Sequence, residues 1–182
     1  MIHTTSDHAA QSNGFEGPYG AAREPAASDT TTTGAEHSVA PSLQLRSDAD
    51  ALREITRLIF SVGFRLGEVN RRWPAFEAAF QGFEPAVVAA FDPSSLSLLH
   101  ANPGLIRNRS KLSATLSNAR TLVRLAEVYG SFSAILDALS AEVFERRTEF
   151  IQSTFTHVGP ITSYAFLRLA GLADESDHPH RQ

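Results

Sequence analysis

LHANPGLIRNRSKLSATLSNAR, Leu99 to Arg120, is the stretch that decides the fold. Asn102, Pro103 and Gly104 break the chain. Arg107, Arg109 and Lys111 then tip a helix start. Leu105, Leu112, Leu116 and Ala119 recur at helical spacing, and the pattern runs on through Val123 and Leu125 to a stop at Gly130. The spacing predicts one long helix that opens just after Gly104. A second stretch, FTHVGPITSYAFLRLAGL (Phe155 to Leu172), sets a short Gly-Pro hairpin between two apolar helices. A glycine in a tight hairpin can bring bare backbone N–H groups to a phosphate. Basic side chains at a nearby helix start can grip the same strand. Together the two stretches predict a helical protein that holds DNA by its phosphates.

Outward from these stretches the chain keeps the helical period. Ser47 and Asp50 have capping-box spacing, with Asp in place of Glu. Leu52, Ile55, Leu58, Ile59 and Val62 follow on one helical face, and Gly63 ends or bends that helix. Pro74, Pro85 and the Asp92-Pro93 pair sit where first-turn prolines belong. Ser131 opens another helix, Ala141 to Phe155 is amphipathic, and Ile161 to Leu172 closes the set. With no alternating strand pattern, the expectation is an all-α fold, about eight short helices around one core with a helix–hairpin–helix element. Residues 1–46, rich in Ser, Thr, Gly, Ala and Pro, are expected to be a disordered tail. The helical domain is expected over 47–173, with a flexible tail at 174–182.

Composition narrows the function. The chain of 182 residues carries a net charge of −4, with no cysteine, so disulfides, thiol nucleophiles and Cys-ligated zinc are excluded. Between Ala49 and Leu172 there are 13 bases against 11 acids. A basic face must therefore come from local clustering. No apolar run is long enough to span a membrane, and the first residues lack a basic-then-apolar signal pattern. A cytoplasmic monomer with no cofactor is the expectation.

Four patches in this order resemble the 3-methyladenine DNA glycosylase I family, a branch of the helix–hairpin–helix glycosylases. They are Gly63 with its flanking helix, WPAFEAAFQGFEPAVVAAF (Trp73 to Phe91), GLIRNRSKLSATLSNAR (Gly104 to Arg120) and HVGPITSYAFLRLAGL (His157 to Leu172). The resemblance covers about Asp48 to Leu172. It implies an enzyme that acts on double-stranded DNA with an alkylated base, flips the purine out and cuts its N-glycosidic bond. Because N3-methyladenine is cationic and already a good leaving group, aromatic faces and one carboxylate suffice to hold it.

The family pattern also exposes departures. Its pocket carboxylate falls in register at Leu58, and its pocket Trp falls at Leu66. Its N-terminal Cys, Trp, Tyr, His and Asn block is replaced here by the Ser/Thr-rich tail, and the insertion usual before the hairpin is absent. Its zinc uses Cys and His from both termini, whereas the C-terminal DHPH here supplies His178 and His180 alone, read as a solvated tail with no metal.

The candidate catalytic carboxylate is Glu54, one turn before Leu58 on the same face, with Glu68 as a similar candidate. Leu58, Phe64 and Leu66 are the base-pocket candidates. Arg107, Arg109, Lys111, His157, Gly159 and Thr162 are the DNA-binding candidates. The departures at Leu58 and Leu66 leave a second reading beside excision, a diverged paralogue that grips DNA without cutting.

Overall fold

The computed structural model describes Leu45 and residues 47–179. The expected tail at 1–46, apart from Leu45, lies outside the described residues, as does His180. Described in order are α1 (Asp48–Ser61), α2 (Leu66–Ala79), a 3₁₀ turn (Gln81–Phe83), α3 (Pro85–Ala89), α4 (Pro93–Ala101), α5 (Arg109–Tyr129), α6 (Phe132–Leu139), α7 (Phe144–Thr154) and α8 (Pro160–Leu169). No strand occurs among the described residues.

Helix starts follow local chemistry. Ser47 Oγ accepts from the Asp50 N–H, and Asp50 accepts from the Ser47 hydroxyl, so the cap of α1 is closed on both sides. Asp92 and Ser131 cap α4 and α6 in the same way, and Pro85 and Pro93 occupy first-turn positions. Past the end of α1, Gly63 takes φ +80°, a region that penalises side chains.

Two expectations are corrected. Pro74 lies inside α2 instead of opening a helix. Its ring is on the solvent face, so the Asn70 carbonyl that loses its helical donor faces water, while Val69, Trp73 and Phe76 are buried on the opposite side. The long helix opens at Arg109, not just after Gly104. Asn108 is extended and its side chain accepts from the Lys111 N–H, which fixes the start there. Leu105 and Ile106 are buried all the same, as a loop packed beneath the helix tip.

The core forms around α5. Its buried Leu112, Leu116, Ala119 and Leu122 meet α1, α3 and α6. Beside it runs an aromatic stack: Trp73 lies parallel to Phe76 and Phe83 at 5.3 and 5.4 Å, and Phe60 meets Phe76 edge-on at 4.8 Å. Arginines close the loops. Arg120 donates to the carbonyls of Ala89 and Phe91 at the end of α3. Arg147 donates to those of Leu139, Ser140 and Leu172. The segment after α8 turns back, with the His178 ring edge-on to Tyr164 at 4.8 Å.

The α7–α8 hairpin is fastened to α5 by a fully buried side chain. Asn118 accepts from the Thr156 N–H at 2.8 Å and donates to the Thr156 carbonyl at 3.2 Å. Asparagine is a poor residue for the middle of a helix, and here both halves of its amide are spent on the hairpin. Asn118→Leu leaves both backbone groups without their partner. It is expected to lower the unfolding free energy by about 1–3 kcal/mol, read from the midpoint of urea denaturation.

Candidate nucleic-acid interface

The first turn of α5 and the α7–α8 hairpin meet on one surface. Ser110 Oγ and His157 Nε2 are hydrogen-bonded at 2.8 Å, and Ser117 bonds Thr156 at 3.3 Å. His157 is held at φ +64°, which costs a side-chain-bearing residue about 1–2 kcal/mol. The bond to Ser110 and the Asn118 clamp one residue earlier keep it there. After it, Gly159 is exposed and no side chain caps α8. Pro160 has no N–H, so the N–H groups of Ile161 and Thr162 are the ones this helix start leaves without a helical partner.

The DNA-binding candidates therefore separate. Arg107 and Arg109 are exposed on either side of Asn108, and His157 and Gly159 are exposed in the hairpin. Thr162 is a correction: its side chain is buried, so only its backbone N–H belongs to the helix start. Lys111 is another. Its ammonium donates to the Val62 carbonyl and lies 5.0 Å from the Phe64 ring centroid and 5.8 Å from that of Phe60. It is turned under the α1–α2 loop, and burial pushes its pKa below the ordinary lysine value.

Two open clefts flank the α5 start. One, of about 500 Å³, is bounded by Arg109, Ser110, Ser113, Ser117, Thr156 and His157. The other, of about 410 Å³, is bounded by Phe64, Glu68, Arg72, Leu105 and Arg107. Glu68 pairs with Arg71 and Arg72, and Arg72 also donates to the Pro103 carbonyl at 2.8 Å, so the carboxylate is fixed at the wall. The loop above carries exposed apolar side chains, Val62 at 54%, Phe64 at 39% and Leu66 at 58%.

Of the pocket candidates, Phe64 alone lines either of these clefts. Leu66 stands out into solvent, and Leu58 is half-buried against the core. Glu54 borders neither cleft. It is buried, has no hydrogen-bond partner among the described residues, and its pKa is raised by burial against the opposing pull of Arg57 and Arg53. Arg57 itself lies 4.5 Å over the Trp73 ring. The site carboxylate suggested at Glu54 is thus a buried group of the α1 packing, and the carboxylate beside Phe64 is Glu68.

The zinc implied by the resemblance does not fit. There is no cysteine. Among the described residues no group of three or more His, Asp or Glu is placed to hold a metal ion. No helix among them is long and apolar enough to cross a membrane.

Comparison with known proteins finds the same all-helical fold in DNA glycosylases. The fold matches a point mutant of 3-methyladenine DNA glycosylase I from Staphylococcus aureus (TM-score 0.64, 23% identity, 74% of this chain and 82% of that one). It also matches a mutant 3-methyladenine DNA glycosylase I solved in complex with 3-methyladenine (TM-score 0.64, 22% identity, 75% and 86%). The DNA-3-methyladenine glycosylase of Haemophilus influenzae is 25% identical over 126 residues, 59% of this chain and 68% of that protein. The methyladenine glycosylase family model matches residues 45–149. The chain belongs to the methyladenine glycosylase family.

Glu54 generates a pH prediction. A carboxyl whose folded-state pKa is raised binds its proton more tightly in the folded chain. Its stabilising contribution is complete below the unfolded pKa and is lost as pH rises through the folded value. Glu54→Gln, neutral at every pH, is expected to melt above wild type at about pH 7, with the gap closing toward about pH 4 in thermal scans.

Proposed function

We propose that this protein is a base-excision repair enzyme of the 3-methyladenine DNA glycosylase I type, which extrudes an alkylated purine from double-stranded DNA and hydrolyses its N-glycosidic bond. The seating of the hairpin on α5 carries this reading. Through the Ser110–His157 bond and the Asn118 clamp, the hairpin that leads into the open start of α8 is held against the first turn of α5, and His157 and Arg109 border one cleft. A phosphate at the hairpin meets the Ile161 and Thr162 N–H groups at the positive end of a ten-residue helix. Arg109 and, past Asn108, Arg107 extend the contact along the strand. Exposed Val62 and Leu66 suit apposition to the base stack that an extruded base leaves open.

The chemistry asks little of the protein. Alkylation gives the base a positive charge, so it departs as a neutral molecule, taking the electron pair of the bond to C1′, while a water oxygen bonds C1′ and sheds a proton. The face of Phe64 attracts the cationic base before cleavage. Glu68, held by Arg71 and Arg72, accepts from its exocyclic amino group.

Release of 3-methyladenine from methylated duplex DNA tests the proposal. Wild type is expected to release it. Glu68→Gln and Phe64→Ala are expected to slow single-turnover release about tenfold or more, the loss of one good contact to the reacting base, while Glu54→Gln releases at nearly the wild-type rate. Binding that persists with no release in wild type would assign the chain to DNA binding without excision.

Salt titration tests the surface separately. Arg107→Ala and Arg109→Ala are each expected to weaken binding across all sequences and to reduce the salt slope by about one.

A further inference from the structure

His157 stands where the hairpin meets α5, and its ring borders the cleft between them. Nε2 is bonded to Ser110 Oγ at 2.8 Å, and Nδ1 has no hydrogen-bond partner among the described residues. The residue is exposed, yet its backbone is held at φ +64°, where glycine would cost less. Strain of this kind persists where a side chain has a ligand to meet. Of the side chains that α4, α5 and the hairpin bring to the cleft, Arg109 is the other charged one, and no carboxylate is among them. Among the described residues no acid lies within ion-pair distance of the ring.

An imidazole changes charge closer to neutral pH than other side chains do. A neutral ring offers a phosphate no charge. With a proton on both nitrogens, Nε2–H donates to Ser110 Oγ, the Ser110 hydroxyl hydrogen turns outward, and Nδ1–H is a second outward donor. The protein supplies this cation with no counter-ion, and a phosphate oxygen fills that place. We propose that His157 takes up a proton when a DNA strand occupies the cleft, so that its imidazolium and the Ser110 hydroxyl hold a backbone phosphate and the grip on DNA tightens as pH falls. The inference rests on the DNA-facing surface proposed above and adds to it a charge that the protein carries only in part at neutral pH.

The step balances. Solvent gives one proton to the lone pair of whichever ring nitrogen lacks it, and no other covalent bond changes. Both neutral tautomers reach the same cation. The sign follows from linkage: the bound state holds more protons than the free one, so lowering the pH favours binding, by the same factor by which DNA favours the proton. Ser113 and Ser117, the neutral hydroxyls further along the cleft, contribute no pH dependence of their own.

The test is binding of full-length protein to a duplex carrying one tetrahydrofuran abasic analogue, which needs no base excision. From about pH 8 to about pH 5.5, across the histidine range, Kd is expected to fall about tenfold, the size of one charge-assisted hydrogen bond. The salt slope is expected to steepen by about one over the same range. Calorimetry in two buffers of different ionisation enthalpy is expected to show net proton uptake on binding. His157→Asn, a side chain that tolerates left-handed backbone, is expected to bind with a flat pH dependence and without that uptake. A wild-type Kd and salt slope that stay constant with pH would overturn the proposal, as would a pH dependence that survives in the variant. Should the variant not fold, the Cε1 proton resonance of His157 in wild type decides: its titration midpoint is expected to move to higher pH with duplex bound, and an unmoved midpoint refutes the assignment. Binding that is equally tight at every pH sinks this inference and leaves the DNA surface standing, whereas no binding at any pH takes down both.

Discussion

The two hydrogen bonds between Asn118 and the backbone of Thr156 are the constraint on which the rest of this structure depends. They join the middle of the longest helix among the described residues to the turn in which His157 is left-handed, just before the uncapped start of α8. Without them the hairpin is an ordinary connection between two short helices. With them, its exposed backbone keeps a fixed distance from the arginines at the tip of α5. Both members of the pair are neutral, so the join is insensitive to salt, whereas the surface it builds acts through charge.

The same helix serves two purposes. One side of α5 buries Leu112, Leu116, Ala119 and Leu122 and organises the core, and the other side carries Ser110, Ser113 and Ser117 along the cleft. Stability and binding therefore share residues one turn apart. The small hydroxyl side chains on the outer side suit that arrangement, because they leave room for a strand while holding the hairpin against the helix.

Much of this was legible in the sequence. Ser47, Asp92 and Ser131 each mark a helix start, Gly63 and Gly130 each follow a helix end, and the hairpin at Gly159-Pro160 stands where its residues indicate. Pro74 misled because tertiary burial of Trp73 and Phe76 carries a helix across a solvent-facing proline. The start of α5 was misplaced because Leu105 continues the apolar pattern although Asn108 ends the loop. At the site, local spacing could not tell that Glu54 would be buried while Glu68 would be pinned in a cleft, since that is decided by how α1 and α2 cross. Asn118 left a faint signal, an amide amid a helical run, and its partner 38 residues away left none.

Arginine bias in a chain that handles a polyanion invites a simple inference that the packing qualifies. Arg120, Arg147 and much of Arg72 are occupied with carbonyls at loop ends, and Arg71 and Arg53 face acids on their own helices. Few guanidiniums remain with donors free to reach a phosphate, and the net charge is negative. Diffusional encounter with a double helix therefore receives little long-range steering. Selectivity must develop after collision, at van der Waals range, where the fit of loop and hairpin governs how long the molecule lingers at each site.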